Sequence, residues 1–271
     1  MTVAERGPSA GTLLREWRQR RNLSQLEVAT RSAVSARHLS FIETGRARPS
    51  REMVLHLAER LDVPLRERNQ LLIAAGFAPV FGERSLDENE MAPVRDALER
   101  FLSAHEPYPA VVVDRHWDVV ARNRGVAYVT RGVAAELLAP PANALRIALH
   151  PDGLAPRISN LADWSGYLLA RLRRQIETTR DPDLEVLYQE LVAYPGVTTE
   201  PGHEPPPNPN EIMLMHELRL GDTQLALFCT FTTFGTAHDL TLAELTIAAF
   251  YPADPQTAEA LTAAVAEPQP R

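Results

Sequence analysis

Apolar residues recur at intervals of three and four through residues 12–76, and this spacing predicts a series of amphipathic helices. Serine stands before three of them as a predicted N-cap, and Gly45 and Gly76 mark predicted ends. The predicted helices are Thr12–Arg21, a second from Gln25 to near Ser32, Ala36–Glu43, a fourth after Ser50, and a fifth from Pro64 to Gly76.

The second and third predicted helices are short and follow one another closely. Ser24 and Glu27 have the spacing of a capping box, which starts the second helix. Ala33 and Val34 form a tight turn, and Ser35 is expected to cap the third helix. Two short helices joined by a tight turn and flanked by other helices are typical of the lambda-repressor type of helix-turn-helix.

The third helix, Ala36–Glu43, is predicted to enter the major groove of double-stranded DNA, which is about one helix wide. An arginine there can form a bidentate pair with guanine, so Arg37 is the principal candidate. The predicted base-reading residues are Ala36, Arg37, Ser40 and Phe41. The predicted phosphate contacts, at helix starts and in the loop after the third helix, are Gln25, Ser35, Arg46 and Arg48.

After a polar segment at residues 81–90, the pattern changes to one that mixes helices with strands. Two β-branched runs separated by a short turn predict a hairpin, and a proline-rich loop spans residues 195–210. The predicted helices are Met91–Ala104, roughly 124–138, Leu161–Thr179, Asp183–Tyr194 and Pro255–Ala266. The predicted strands are Pro109–Asp114, Trp117–Arg122, Glu211–Leu220, Thr223–Phe234 and Glu244–Tyr251.

The turn pair Gly221-Asp222 predicts the register of the second hairpin. Positions whose numbers sum to 443 then face one another, and one face of the hairpin is almost entirely apolar. A slip of one residue would mix the two faces. The predicted pairs on the apolar face are Leu218 with Leu225, His216 with Leu227, Leu214 with Cys229, and Ile212 with Phe231.

Charge is divided unevenly along the 271 residues. Residues 1–80 hold 13 arginines against 8 acidic residues, a net charge of +5, which leaves −12 on the rest because the total is −7. A basic module joined to an acidic one indicates that only the first meets a polyanion. We predict a DNA-binding domain at 1–80, a linker and connecting helix at 81–105, and a second domain at 106–271.

Several classes of protein are disfavoured. There is no apolar run of eighteen residues and no hydrophobic N-terminal signal, so we expect a soluble cytoplasmic protein without a membrane partner. The single Cys229 allows no disulfide, and the scattered histidines lack metal-ligand spacing. Because no catalytic or phosphate-binding motif is present, we expect neither an enzyme, a metal site nor a cofactor.

A helix-turn-helix module can also serve protein contacts, as in an adaptor or an antitoxin-like protein that binds no small molecule. The arginines at 37, 46 and 48 favour DNA instead. The string LSQLEVATRSAVSARHLSFIETGRARPS resembles the xenobiotic-response-element, or Cro/C1, family of bacterial transcriptional regulators. This chain has Ala33 where that family usually has glycine before the valine of the turn.

A longer stretch, SARHLSFIETGRARPSREMVLHLAERLDVPLRERNQLLIAAGFAPVF, resembles the MmyB-like subgroup, as do ALHPDGLAPRISNLADW and FTTFGTAHDLTLAELTIAAFYPAD. The resemblance implies a mainly α protein with an α+β second domain: a five-helix lambda-repressor-like domain, then a PAS-like antiparallel sheet with helices. It also implies a homodimer on a near-palindrome and a small apolar ligand, a fatty acid or similar, that tunes DNA binding.

The residues that would line a ligand pocket are predicted from the apolar sheet face and the helices above it, although such a face is also simply a core. The predicted pocket residues are Trp117, Trp164, Leu168, Leu172, Leu214, His216, Leu227 and Phe228. The predicted contacts to a polar head group are His150, Arg157 and Asn160. The helix Met91–Ala104 is the predicted relay between the domains, because it alone joins them in sequence.

Overall fold

A computed structural model describes residues 8–199 and 214–266. The chain divides into two compact units. The first comprises Met1–Arg84 together with Thr236–Ala243, and the second comprises Ser85–Gly235 and Glu244–Arg271.

The first unit contains the five predicted helices. They are α1 Ala10–Arg20, α2 Gln25–Arg31, α3 Ala36–Glu43, α4 Arg51–Arg60 and α5 Leu65–Ala74. The first four begin at a serine whose hydroxyl accepts a backbone N–H of the first turn, and the capping box of Ser24 and Glu27 is confirmed. The apolar faces meet in one core, which includes Leu14, Trp17, Leu39, Ile42, Leu57 and Leu71.

The turn between α2 and α3 depends on a left-handed residue. Ala33 has a φ of +52°, and the N–H of Val34 donates to the carbonyl of Ala29 over 3.0 Å. This is the Schellman ending of a helix, in which glycine is usual because it has no Cβ to oppose a positive φ. Asn22 and Asp62 adopt the same conformation after α1 and α4, and asparagine and aspartate tolerate it better than alanine.

The second unit has a five-stranded antiparallel sheet in the order β2-β1-β5-β4-β3. The strands are β1 Ala110–Val113, β2 Val119–Arg122, β3 His216–Leu220, β4 Thr223–Thr233 and β5 Thr246–Pro252. The helices are α6 Ala92–His105, α7 Arg124–Val129, α8 Ala135–Leu138, α9 Ala144–Leu149, α10 Leu161–Thr179, α11 Pro182–Val192, α12 Leu240–Glu244, which begins in the first unit, and α13 Pro255–Ala266. The predicted antiparallel sheet with helices is confirmed.

The register of the second hairpin is also confirmed, because His216 pairs with Leu227 and Leu218 with Leu225. Strand β3 begins at His216, so Leu214 lies before the strand, and Ile212 lies outside the described residues. The predicted proline-rich loop is described only to residue 199.

One predicted helix in the second unit is wrong, and one helix was missed. The helix predicted at roughly 124–138 is two short helices, separated by a turn in which Gly132 has a φ of +74°. Helix α9 was not predicted, because its six residues are too short to show a helical period against the turn residues around them.

The segment Thr236–Ala243 lies between β4 and β5 in sequence but belongs to the first unit. Within that unit the Leu240 N–H donates to the Gly82 carbonyl over 2.8 Å, and Arg84 pairs with Asp239 over 2.9 Å. The chain therefore passes between the units at three points. The prediction that the helix at 91–104 alone joins them is wrong.

The conformation of Ala33 generates a stability prediction. An alanine in the left-handed conformation destabilises the folded state by about 1–2 kcal/mol. Replacing it with glycine removes this strain, but glycine also raises the conformational entropy of the unfolded chain, which offsets part of the gain in stability. Ala33→Gly should therefore raise the free energy of unfolding of the first unit by about 0.5–1 kcal/mol. Urea unfolding of the full chain measures it, with Asn22→Gly as the matched control that gains less. An Ala33→Gly variant less stable than the parent would contradict this account.

Candidate functional sites

The outward surface of α3 carries the predicted base-reading residues. Arg37 is exposed, and its guanidinium lies 5.3 Å from the centroid of the Phe41 ring. Ala36, Ser40 and Phe41 are half-buried beside it. Arg46 and Arg48 are exposed in the loop that follows the helix. Cationic side chains thus remain in solvent on the helix and in the loop after it.

The other two predicted phosphate contacts already have partners within the protein. The Ser35 hydroxyl accepts the N–H of His38 over 3.1 Å as the N-cap of α3. The Gln25 side-chain amide donates to a carboxylate oxygen of Glu43 over 2.8 Å. Both side chains are thereby held in place at the start of a helix.

Glu43 is the buried centre of a polar network that joins three helices. Its side chain is 1% exposed and accepts two hydrogen bonds from the Arg18 guanidinium, at 2.7 and 3.0 Å. Arg18 also donates to the carbonyl of Leu23 over 2.8 Å, and its bonds to Glu43 raise the pKa of its guanidinium. Together with Gln25, the pair fixes α3 against α1 and α2. No local pattern in the sequence links residues 25 positions apart, so this network was not predicted.

The second unit contains a cavity between the sheet and the helices, with about 880 Å³ of space not filled by atoms, part of it open to solvent. Its lining is almost entirely apolar. The strands and the segments that join them contribute Pro109, Val111, Val113, Trp117, Val119, Arg122, His216, Leu218, Leu227, Phe231, Ala248 and Phe250. The helices and their loops contribute Val126, Val129, Thr130, Ala144, Leu145, Ile147, Ala148, Leu154, Trp164 and Leu168.

Five of the eight predicted pocket residues line this cavity: Trp117, Trp164, Leu168, His216 and Leu227. The other three are not among its lining residues. Leu172 is fully buried in the core, and Leu214 packs against that core half-buried. Phe228 has the opposite strand parity to Leu227, and its ring stacks on Tyr251 at 5.1 Å. The lining contributed by α9 was missed because that helix was not predicted.

Trp117 is held at the cavity by the turn between β1 and β2. It has a φ of +68°, and its indole N–H donates to the side chain of Gln175 over 2.9 Å. Asn143 fixes the start of α9 beside it: its amide donates to the His116 carbonyl over 2.8 Å, and its oxygen accepts the N–H of Leu145.

The three residues predicted to contact a head group do not line the cavity. Arg157 donates to the carbonyls of Arg131 and Gly132, and Asn160 bonds to the backbone of residues 215 and 217. The His150 ring packs edge-on against Tyr194 at 4.9 Å. The structure places these side chains in loop and cap contacts.

Besides the Thr130 hydroxyl, which donates to the Val126 carbonyl over 2.8 Å, the buried part of the cavity wall carries two polar rings, Trp164 and His216. Their rings stack with centroids 4.5 Å apart and planes 9° apart. Within the described chain, neither the Trp164 indole N–H nor either His216 ring nitrogen has a hydrogen-bond partner. Burial lowers the pKa of His216 to about 4, so its imidazole is neutral at pH 7.

The family model for the MmyB-like transcription regulator ligand binding domain matches residues 94–264, and a helix-turn-helix domain model matches residues 9–71. The chain belongs to the MmyB-like transcription regulators. It is a DNA-binding regulator that carries a ligand-binding domain.

Comparisons with curated proteins and with solved structures do not extend this family assignment. No curated protein matches the chain. A solved structure of an RNA-binding Light-Oxygen-Voltage receptor is 13% identical, with a TM-score of 0.29. The match covers 97% of this chain and 62% of that one. So low a score carries no argument about fold or function.

None of the described helices of this MmyB-like regulator is both long and apolar enough to cross a membrane.

Two further features concern possible reactive or metal-binding groups. Burial raises the pKa of the Cys229 thiol to about 12, so the thiol stays protonated at pH 7 and is a poor nucleophile. His116, Asp181 and Asp183 place ligand atoms within 4.8 Å of one another, a grouping that sequence spacing did not reveal. The Arg115 guanidinium lies 3.6 Å from Asp181 and already offers that carboxylate a positive charge.

The burial of Glu43 predicts a large effect of its removal. Glu43→Ala would leave the largely buried Arg18 cation without its carboxylate, and breaking a buried pair this way costs about 3–5 kcal/mol. We expect the free energy of unfolding to fall by about 3 kcal/mol, at the lower end of this range because part of the Arg18 side chain reaches solvent. Urea unfolding measures it, and Glu16→Ala is the control. Glu16 pairs with Arg20 on the surface over 3.6 Å, and its loss should cost less than about 0.5 kcal/mol. Equal losses in the two variants would contradict the assigned role of Glu43.

Proposed function

We propose that this regulator binds operator DNA through α3 and that a fatty acid, or a similarly long apolar molecule, binds its second unit and changes the affinity for DNA. The observation that carries the proposal is the cavity between sheet and helices, whose wall is apolar apart from a few polar groups. Small-molecule sites are commonly of this kind, because apolar surface supplies affinity and a few polar groups fix orientation. We take this unit to be a PAS-like ligand sensor.

Charge and exposure support the DNA-binding part of the proposal. The first 80 residues carry a net charge of +5, and Arg37, Arg46 and Arg48 are all exposed. In this proposal Arg37 reads a base, with Ala36, Ser40 and Phe41 beside it. Arg46 and Arg48 contact phosphates, while Gln25 and Ser35 act at most through their remaining hydrogen-bonding capacity because each already has a partner.

A homodimer is part of the proposal. One helix-turn-helix covers only a few base pairs, and dimers of this type read two half-sites about 34–36 Å apart. A symmetric dimer matches the symmetry of a near-palindromic operator. Footprinting on DNA from upstream of the regulator's own gene should therefore show two half-sites.

The different placements of Arg37 and Arg46 predict different losses. Arg37→Ala should lose about 1–3 kcal/mol on the cognate site and relax the preference at one base pair. Arg46→Ala should weaken cognate and random DNA alike and lower the salt slope by about one unit. Mobility shifts at several salt concentrations measure both. If Arg37→Ala weakens binding to random DNA as much as binding to the operator, the proposed base-reading role of Arg37 is wrong.

The segment Thr236–Ala243 is the connection by which we propose that the cavity acts on the DNA-binding unit. It follows β4 and precedes β5, and both strands contribute side chains to the cavity wall. Within the first unit it is held by the Arg84–Asp239 pair and by the Thr241 hydroxyl, which donates to the Arg84 carbonyl over 2.6 Å. In this proposal a ligand that shifts β4 or β5 also displaces this segment, which is bonded to Arg84 in the first unit.

Two measurements test ligand binding and this connection. Ligand at about 100 times its Kd should stabilise the second unit by about 2.7 kcal/mol and change operator affinity by a coupling of about 1–3 kcal/mol. The double variant Asp239→Asn/Thr241→Val should keep the stabilisation but lose most of the change in operator affinity. Thr232→Val, at an exposed position of β4, is the control and should lose neither. If fatty acids of about ten to eighteen carbons do not stabilise the protein, the ligand class is wrong; full coupling in the double variant would reject the connection.

A further inference from the structure

Trp164 and His216 concentrate the unsatisfied polar atoms of the cavity in one place. Among the described residues, four buried side-chain nitrogen or oxygen atoms have no hydrogen-bond partner, and three of them belong to this pair. Trp164 lies on α10 and is 3% exposed, and His216 lies on β3 and is 5% exposed. Both residues line the cavity. A buried polar atom without a partner is costly, so such a cluster in a cavity wall marks a point where a ligand can supply the missing bonds.

The hydrogen-bonding capacity of the pair restricts what can bind there. The indole nitrogen of Trp164 is only a donor. The neutral imidazole of His216 has one N–H donor and one acceptor nitrogen, and its tautomer decides which of them meets the ligand. A head group that bonds to both rings must therefore accept a hydrogen bond from Trp164 and either accept one from the His216 N–H or donate one to its unprotonated nitrogen.

We propose that Trp164 and His216 bind the carboxyl group of a monocarboxylic acid, with the head directed inward to this pair and the apolar chain along the aliphatic wall. The inference rests on the proposed function and specifies its binding mode. One carboxyl oxygen accepts the indole N–H of Trp164, and the other shares an added proton with the unprotonated ring nitrogen of His216, because a buried carboxylate without a counter-charge would be costly. An ester lacks that proton and can satisfy only the donors.

Arg122 is the competing anchor for a carboxylate, because it also lines the cavity and is charged. Arg122 is exposed at the end of β2. An ion pair between a carboxylate and this exposed guanidinium would add little binding free energy, because water screens the two charges. A head at Arg122 would also leave the chain of the ligand against Trp164 and His216, whose buried nitrogens would stay unpaired. The inward orientation gives partners to the Trp164 nitrogen and to one of the two His216 nitrogens.

Titratable and charged groups also lie on the helices and strands around the pair. Tyr167 on α10 has its ring 5.7 Å from Trp164, and the Arg171 guanidinium lies 3.9 Å from the Phe231 ring. Strand β4 offers the Cys229 thiol and β2 offers Arg122, while β5 places Phe250 against His216 at 5.7 Å. Burial keeps the His216 imidazole neutral and the Cys229 thiol protonated at pH 7, so we assign the proton uptake to the carboxyl–imidazole pair.

Binding in this mode takes up about one proton per ligand. Free decanoic acid is ionised above about pH 5, and the free imidazole is neutral, whereas the bound pair holds one proton whichever partner carries it. The Kd of the full-length protein for decanoic acid should therefore rise about tenfold for each pH unit between about 6 and 8. The Kd for methyl decanoate should not change. A carboxylate bound at Arg122 would take up no proton, so a flat profile for the acid would overturn the proposal.

Three variants of the full-length chain separate the two rings from the competing anchor. His216→Phe should raise the Kd for decanoic acid about tenfold and that for methyl decanoate less than about threefold. Trp164→Phe should weaken both ligands, since both have a carbonyl oxygen for the indole N–H. Arg122→Gln should change neither by more than about threefold. A loss confined to Arg122→Gln would overturn the inward orientation.

The outcomes distinguish this inference from the function it rests on. If acid and ester bind equally and His216→Phe changes neither, the head-group site is wrong but the apolar ligand class survives. If neither ligand binds the parent protein, the proposed function itself fails and this inference with it. Circular dichroism and operator binding verify that each variant is folded. Should His216→Phe not fold, Trp164→Phe and the pH profile of the parent protein decide the question.

Discussion

Strand β4 forms hydrogen bonds with a neighbour on each edge, and this double pairing sets the position of the cavity-lining side chains of β3, β4 and β5. It pairs with β3 across a two-residue turn and with β5 through seven residue pairs. Side chains alternate along a strand, so Leu227 and Phe231 share the cavity face while Phe228 lies on the other. A shift of one residue would carry His216 out of the cavity wall and remove its stacking on Trp164.

The same strand gives the cavity a covalent route to the DNA-binding unit. Beyond its last residue the chain enters Thr236–Ala243, which belongs to the first unit, and then returns as β5. A ligand can change DNA affinity only if it binds two arrangements of the protein with different free energies. Strands that both line the cavity and hold this segment provide a physical basis for such a difference.

Buried polar groups have opposite roles in the two units. The Glu43 carboxylate accepts hydrogen bonds from Arg18 and Gln25, so its burial fixes one arrangement of three helices. Trp164 and His216 are equally buried but lack partners among the described residues. A satisfied network specifies the fold, whereas an unsatisfied pair in a cavity wall favours a ligand that completes it.

The sequence by itself determined the local structure: the helices of the first unit, three of their four serine caps, and the register of the hairpin through Gly221. Caps, helical periodicity and two-residue turns act over a few residues, so a short stretch of sequence is enough to specify them. It also indicated five of the wall residues, because strand parity and helix face follow from the same periodicities. Only the tertiary structure decided which distant groups meet. Arg18 and Glu43 are 25 residues apart, and Trp164 and His216 are on a helix and a strand that no local pattern relates. Their contact depends on how apolar faces pack in three dimensions, as does the assignment of Thr236–Ala243 to the first unit.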